Sequence, residues 1–115
     1  MAGTRSHHPD PTCLQLYRAT RFWSRLRGLH AYPSLRWHTG LWISPCNAVH
    51  TFGLDYAIDV VFLNGNRNSL RVVQRMAPGR IAVCLGAKSV VELPAGYCAL
   101  YPDVLSEIQR VLKDW

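Results

Sequence analysis

The chain has 115 residues, 49% of them hydrophobic and only 17% charged, with a formal net charge of +6. This composition excludes a wholly disordered chain and fits one domain built around a single core. No apolar run approaches the roughly 20 residues that a spanning helix needs, and the opening MAGTRSHHPDPT has no apolar stretch of signal-peptide type.

In chain order, residues 1–12 read as a flexible tail, 13–101 as one β-rich domain and 102–115 as a helix packed on it. Cys13 to Arg18 suits a short first strand. Thr20 offers an N-cap to RFWSRLRG, a short helix whose Phe22, Trp23, Leu26 and Leu29 share a stripe and which Gly28 would stop. From Leu41 the pattern turns to short β-prone runs at 41–44, 48–52, 57–63, 70–75, 81–84 and 90–93. The breaks fall at Pro45, Gly53, Asn64–Asn68, Pro78–Gly79 and Gly86. The NGNRN loop is a hairpin signal, because Asn and Gly accept the positive φ that tight turns demand. The adjacent Val72 and Val73 predict a strand that is bulged or buried on both faces. Pro94 and Gly96 close the last strand. From Pro102 onward, Val104, Leu105, Ile108, Val111 and Leu112 recur at helical spacing, with Asp103 and Glu107 toward the positive end of the dipole and Arg110 and Lys113 toward the other. The predicted fold class is mainly β, α+β at the margins: a compact sandwich or barrel with a short N-terminal helix and a C-terminal amphipathic helix.

Charge and cysteines bound the chemistry. Lys88 and Lys113 are the only lysines, and no acidic residue lies between Asp10 and Asp55, a span holding Arg18, Arg21, Arg25, Arg27 and Arg36. Such a field attracts phosphate, nucleic acid, an acidic partner or an acidic lipid surface. Cys13, Cys46, Cys84 and Cys98 form no C-x-x-C pair, so neither a zinc ribbon nor a thioredoxin-like motif is indicated. Reduced, mostly buried thiols in a cytoplasmic protein are the simplest expectation.

The densest concentration of polar chemistry inside apolar sequence is Cys46–Leu63, CNAVHTFGLDYAIDVVFL. Asp59 lies between Ile58 and Val60, where an unpartnered carboxylate would cost several kcal/mol. Either it ties a loop or Arg25 to the sheet, or it belongs to a binding or catalytic site. Cys46 and His50 share a strand face only if 46–51 is continuous strand. They could then ligate a metal with Asp59 or Cys84, or make a nucleophile–base pair, but two pleats separate them by roughly 7 Å, and a satisfied core histidine beside an inert cysteine is the preferred reading. No G-x-S-x-G, G-x-x-x-x-G-K-[ST] or G-x-G-x-x-G occurs. The run YRATRFWSRLRGLHAYPSLRWH combines arginines and aromatics in a way that suits single-stranded nucleic acid, although Phe22, Trp23 and Leu26 serve equally as core.

Three segments together resemble the family known as domain of unknown function 192. ATRFWSRLRGLH resembles its arginine followed by Gly-Leu-Met, with Arg25, Gly28 and Leu29 matching and His30 in place of methionine. GLWISPCNAVHTFGLDYAIDVVFLNGN resembles its central block through His50, Thr51, Ile58, Asp59 and Phe62, with Leu54 where methionine is usual. SVVELPAG resembles its closing block through Val91, Glu92 and Gly96. The resemblance implies a compact β sandwich or barrel with a short helix near the N terminus, and no established activity. The C-terminal helix is unlike the usual family ending.

The leading functional expectation is a small ligand, in one version anionic, bound in a pocket near His50 and Asp59. Arg25, His50, Thr51, Asp59 and Glu92 are its candidate binding residues, with no metal ligands assigned and the cofactor left unknown. The alternatives are a hydrolase or metal-dependent enzyme using His50, Asp59 and Cys46, and an arginine-rich module binding nucleic acid or protein. No membrane span is expected.

Overall fold

The computed structural model describes residues 13–19, 37–113 and 115. Within them run β1 (Gln15–Ala19), β2 (Thr39–Ile43), β3 (Ala48–His50), β4 (Ile58–Leu63), β5 (Ser69–Met76), β6 (Ile81–Val83) and β7 (Ser89–Pro94), then α1 (Tyr97–Leu100) and α2 (Val104–Leu112). The tail at 1–12 and the helix read from RFWSRLRG, Arg25 included, lie outside the described residues.

The strands form a five-stranded sheet in the order β1-β2-β7-β4-β5 and a two-stranded sheet of β3 and β6. β1 runs parallel to β2; every other pairing is antiparallel. β4 and β7 fill the middle of the large sheet and are buried at all twelve positions, which explains why their sequences read as continuous apolar runs rather than alternating ones.

Two core layers follow from strand alternation. On one face Leu16, Trp42, Val61, Leu63, Val91 and Leu93 pack against Tyr97, Val104, Ile108 and Leu112 of the helices. On the other, Ile58, Val60, Phe62, Met76 and Val90 pack against Val49 and Ala82 of the small sheet. The architecture is therefore a mainly β, sandwich-like fold, not a closed barrel, with helices covering one face. Burying each of these large apolar side chains contributes about 1.5–3 kcal/mol. Gly40 is required where β2 crosses β7, because a Cβ there would lie 2.7 Å from the Glu92 carbonyl oxygen and 2.8 Å from Leu93.

α2 buries Val104, Ile108 and Leu112, with Leu105 and Val111 half-buried beside them, as the spacing predicts. Glu107 in its first turn accepts a hydrogen bond from the Leu14 backbone N–H at 2.9 Å, tying the chain just before β1 to the helix. The hairpin at 64–68 forms as expected, with Asn64 N–H donating to Asn68 O. Its left-handed residue, however, is Arg67 at φ 66°, not an Asn or Gly. Val72 and Val73 are both half-buried and β5 pairs with β4 through two register shifts, so the strand is irregular as its sequence suggests.

Candidate functional site

Asp59 is fully buried on the helix-facing side of β4. Its Oδ1 accepts hydrogen bonds from the N–H of Arg75 at 2.8 Å and of Gly96 at 3.0 Å, and Oδ2 accepts one from the N–H of Cys98 at 2.8 Å. Three backbone donors thus converge on one carboxylate. Two of their residues occupy left-handed backbone, Arg75 at φ 53° and Gly96 at φ 87°. Arg75 lies beside the register shift between Ile58 and Val60, so the carboxylate holds the irregular turn of β5 and the start of α1 together. Gly96 tolerates its conformation and its surroundings: a Cβ there would meet the Arg75 guanidinium at 2.9 Å. The Cys98 thiol also hydrogen-bonds Asp59. Burial, then the Asp59 charge and that bond, push the thiol pKa up to about 12.

Thr51 is also fully buried. Its hydroxyl donates to Ala77 O at 2.6 Å and accepts from Arg80 N–H at 2.8 Å. Its backbone N–H donates to Arg80 O, and its carbonyl accepts from Leu54 and Gly79. The residue is the hub of the turn joining β5 to β6.

Glu92 is fully buried at the centre of β7, registered against Leu41 and Val60. Asp59 pairs with Leu93 one residue on, so the two carboxylates point to opposite faces of the sheet. His50 stands on β3 opposite Ile81, half-buried, with its ring stacked on Phe52 at 5.4 Å. Cys46 precedes β3 instead of sharing its strand, and its Sγ–H donates to Ala48 O at 3.1 Å. The five residues singled out from the sequence are therefore not gathered in one described pocket. Asp59 serves the helix side, Thr51 and His50 the small sheet, Glu92 the middle of the opposite core layer, and Arg25 lies outside the described residues. Among the described residues no group of three or more His, Cys, Asp or Glu side chains is placed to hold a metal ion. None of the four cysteines forms a disulfide, and each is half-buried, more open than the sequence suggests.

Three features escaped the sequence reading. A depression of about 430 Å³ is lined by Ser44, Pro45, Cys46, Asn47, Ala87 and Lys88. Cys46 N–H donates to Lys88 O and Lys88 N–H to Leu63 O, so the backbone under the lysine is fixed from both sides. Its only sequence signal is Lys88 itself, one of two lysines in the chain. The second feature is an aromatic cluster at the start of the helices. His38 Nδ1 lies 2.9 Å from the Tyr97 hydroxyl, and Trp37 Nε1–H donates to the Tyr101 hydroxyl at 3.0 Å. Desolvation, with a smaller contribution from Glu107, raises the Tyr97 pKa to about 12. The third is Trp42, with the guanidinium carbons of Arg18 and Arg67 at 5.3 and 4.9 Å from its ring centre and Trp115 tilted against it at 5.2 Å. No helix among the described residues is long and apolar enough to cross a membrane.

Two solved structures share the fold. A protein of unknown function from Novosphingobium aromaticivorans is 16% identical, with a TM-score of 0.66 over 76% of this chain and 67% of that one. A protein from Sinorhizobium meliloti, provisionally named a transcription regulator, is also 16% identical, with a TM-score of 0.67 over 76% of this chain and 73% of that one. At that identity the likeness concerns the fold alone. No curated protein matches the chain. The model of the DUF192 family, described as an uncharacterized ACR, matches residues 4–101, which include the strands, Asp59, Thr51 and Glu92. The chain belongs to the DUF192 family, and α2 lies beyond the matched segment.

Proposed function

We propose that this chain is a binding domain that takes a small anionic ligand in the depression between Ser44–Asn47 and Ala87–Lys88. The carrying observation is the Lys88 ammonium group, which has no carboxylate partner among the described residues and stands beside the polar groups of Ser44 and Asn47. A concave site with a few convergent polar groups and one unpaired charge is the form that small-ligand sites take. The depression lies on the β3–β6 side of the large sheet, since Cys46 and Ala87 pack against the core layer there. His50 is on the same side, at the far end of β3. Thr51 and Asp59 serve this reading as frame: their hydrogen-bonding capacity is taken up by backbone groups, which favours a role in holding the fold over one in proton transfer. Glu92 enters as part of that frame.

The test is titration of the labelled protein with inorganic phosphate and a panel of small mono- and dicarboxylates, followed through backbone amide resonances. At least one anion should move Cys46, Asn47 and Lys88 saturably, and Lys88→Ala should weaken it about tenfold at an unchanged unfolding midpoint. If those amides stay still throughout, or Lys88→Ala binds as well as the parent, the depression is not the site.

A further inference from the structure

The Trp42 indole sits in a setting that the fold does not explain. Trp42 is 4% exposed, and its Nε1–H is a buried donor with no acceptor among the described residues. Buried donors in native proteins are almost always paired, so an orphan one asks for a reason. Around the same ring stand two guanidinium groups. Arg18 is registered beside Trp42 on β1, and its side chain contacts that ring and makes no hydrogen bond or ion pair among the described residues. Arg67 comes from the 64–68 hairpin and is held in place: Nη1 donates to Leu112 O, while its own carbonyl accepts from Gln109 Nε2 at 3.1 Å. Its backbone sits at φ 66°, a conformation uncommon for a side chain of this size and one that needs surrounding structure to maintain it. No carboxylate meets either arginine among the described residues; the ion pair there joins Arg110 to Glu107.

We propose that Arg18, Arg67 and the Trp42 indole N–H form a phosphate site for a nucleotide, whose base stacks on Trp115. The two guanidinium carbons lie 5.3 and 4.9 Å from the centre of one ring, and so no more than about 10 Å from each other. Two guanidinium groups carried by separate elements offer more donors than one fork, which suits the several oxygens of a phosphate better than a single carboxylate. Trp115 is 46% exposed and presents an aromatic surface at the rim. Neither its side chain nor that of Arg18 is fixed by a hydrogen bond among the described residues, so both can yield to an incoming group and uncover the indole N–H. Lys113, exposed at the end of α2, directly follows Leu112, whose carbonyl holds Arg67. Arginine beside an aromatic platform is the combination by which proteins hold the phosphate and base of single-stranded or free nucleotides. This site is on the helix side of the sheet and independent of the Lys88 depression.

The experiment follows the Trp42 Nε1–H resonance, assigned with Trp42→Phe, during titration with inorganic phosphate, adenosine 5′-monophosphate and a short oligothymidylate. The expected result is a saturable shift with a nucleotide that binds at least fivefold more tightly than inorganic phosphate. Arg18→Ala, at an exposed side chain with no hydrogen bond among the described residues, should weaken it about tenfold without altering the fold, and Trp115→Ala should remove the advantage over inorganic phosphate. Equal affinity for both nucleotide probes identifies a free nucleotide; tighter, salt-sensitive binding of the oligomer identifies a strand. An unmoved indole resonance, equal affinity for inorganic phosphate, or full affinity in Arg18→Ala overturns the proposal.

Discussion

On the helix side of the five-stranded sheet the carboxylate of Asp59 gathers three backbone N–H groups from two separate stretches of chain. On the other side, the hydroxyl of Thr51 organises a single turn, accepting from Arg80 and donating to Ala77. Both polar side chains are fully buried, yet what they hold differs in depth. Asp59 joins β4 to the irregular end of β5 and to α1, and Gly96 at that junction is itself buried. Ala77, Pro78, Gly79 and Arg80 around Thr51 are all exposed. The contrast teaches that a polar residue inside an apolar strand marks where distant backbone must be secured, and that the energy at stake depends on whether water can replace it.

Removing Asp59 tests the deeper half of that contrast and should have the largest effect. Asp59→Ala leaves the buried N–H of Gly96 and the part-buried N–H of Cys98 with no acceptor, and each unsatisfied buried donor costs about 1–3 kcal/mol. A loss of about 3–5 kcal/mol is expected, a large part of the stability of a domain this size. Urea denaturation measures it. Asp59→Asn keeps one oxygen and should lose about half as much. If Asp59→Ala instead unfolds within 1 kcal/mol of the parent, the carboxylate is not a structural pin and a ligand-binding role returns to it.

Thr51→Val keeps the shape of the side chain and removes only the hydroxyl. The Arg80 N–H and Ala77 carbonyl it releases can turn to water, so the expected loss is smaller, about 1–2 kcal/mol. The midpoint of the same urea transition should move with its slope unchanged. A loss as large as that of Asp59→Ala would erase the distinction between the two sides.

Much of this frame is legible in the sequence. Each strand expected from turn residues and apolar runs is present, with ends shifted by one or two residues, because Pro45, Gly53, Pro78–Gly79 and Gly86 interrupt pairing locally. α2 is equally legible from its stripe. α1 is not, because its start is secured by Asp59 from 37 residues away and not by a capping side chain of its own. The opposite orientation of Asp59 and Glu92 depends on the register of β4 with β7, which no local pattern states. Trp42, Arg18 and Arg67 meet through three separate elements, so their sequence distances of 24 and 25 residues carried no signal. The resemblance in the His50–Thr51 and Ile58–Asp59 block did locate two residues that organise the fold, although it implied nothing about their partners.

The finest test of the comparison uses the thiol that shares Asp59. Cys98 and Tyr97 both have pKa values raised to about 12, from 9.0 and 10.0 respectively, chiefly by burial. Each group is neutral when protonated, so the folded state retains a proton that the unfolded chain has already released. The unfolded state then binds fewer protons, and stability must fall with rising pH from about 9 toward 12, having been fully present below that window. Urea midpoints at pH 8.5 and 10.5 should therefore show a decline that is shallower in Cys98→Ala, which no longer carries the thiol. Iodoacetamide should modify Cys98 more slowly than Cys46 at pH 8.5, because the thiolate is the reactive form. A decline of equal slope in Cys98→Ala and the parent would mean that the Asp59 junction is open enough for Cys98 to ionise as it does in water, and the buried side of the contrast would then be no deeper than the turn around Thr51.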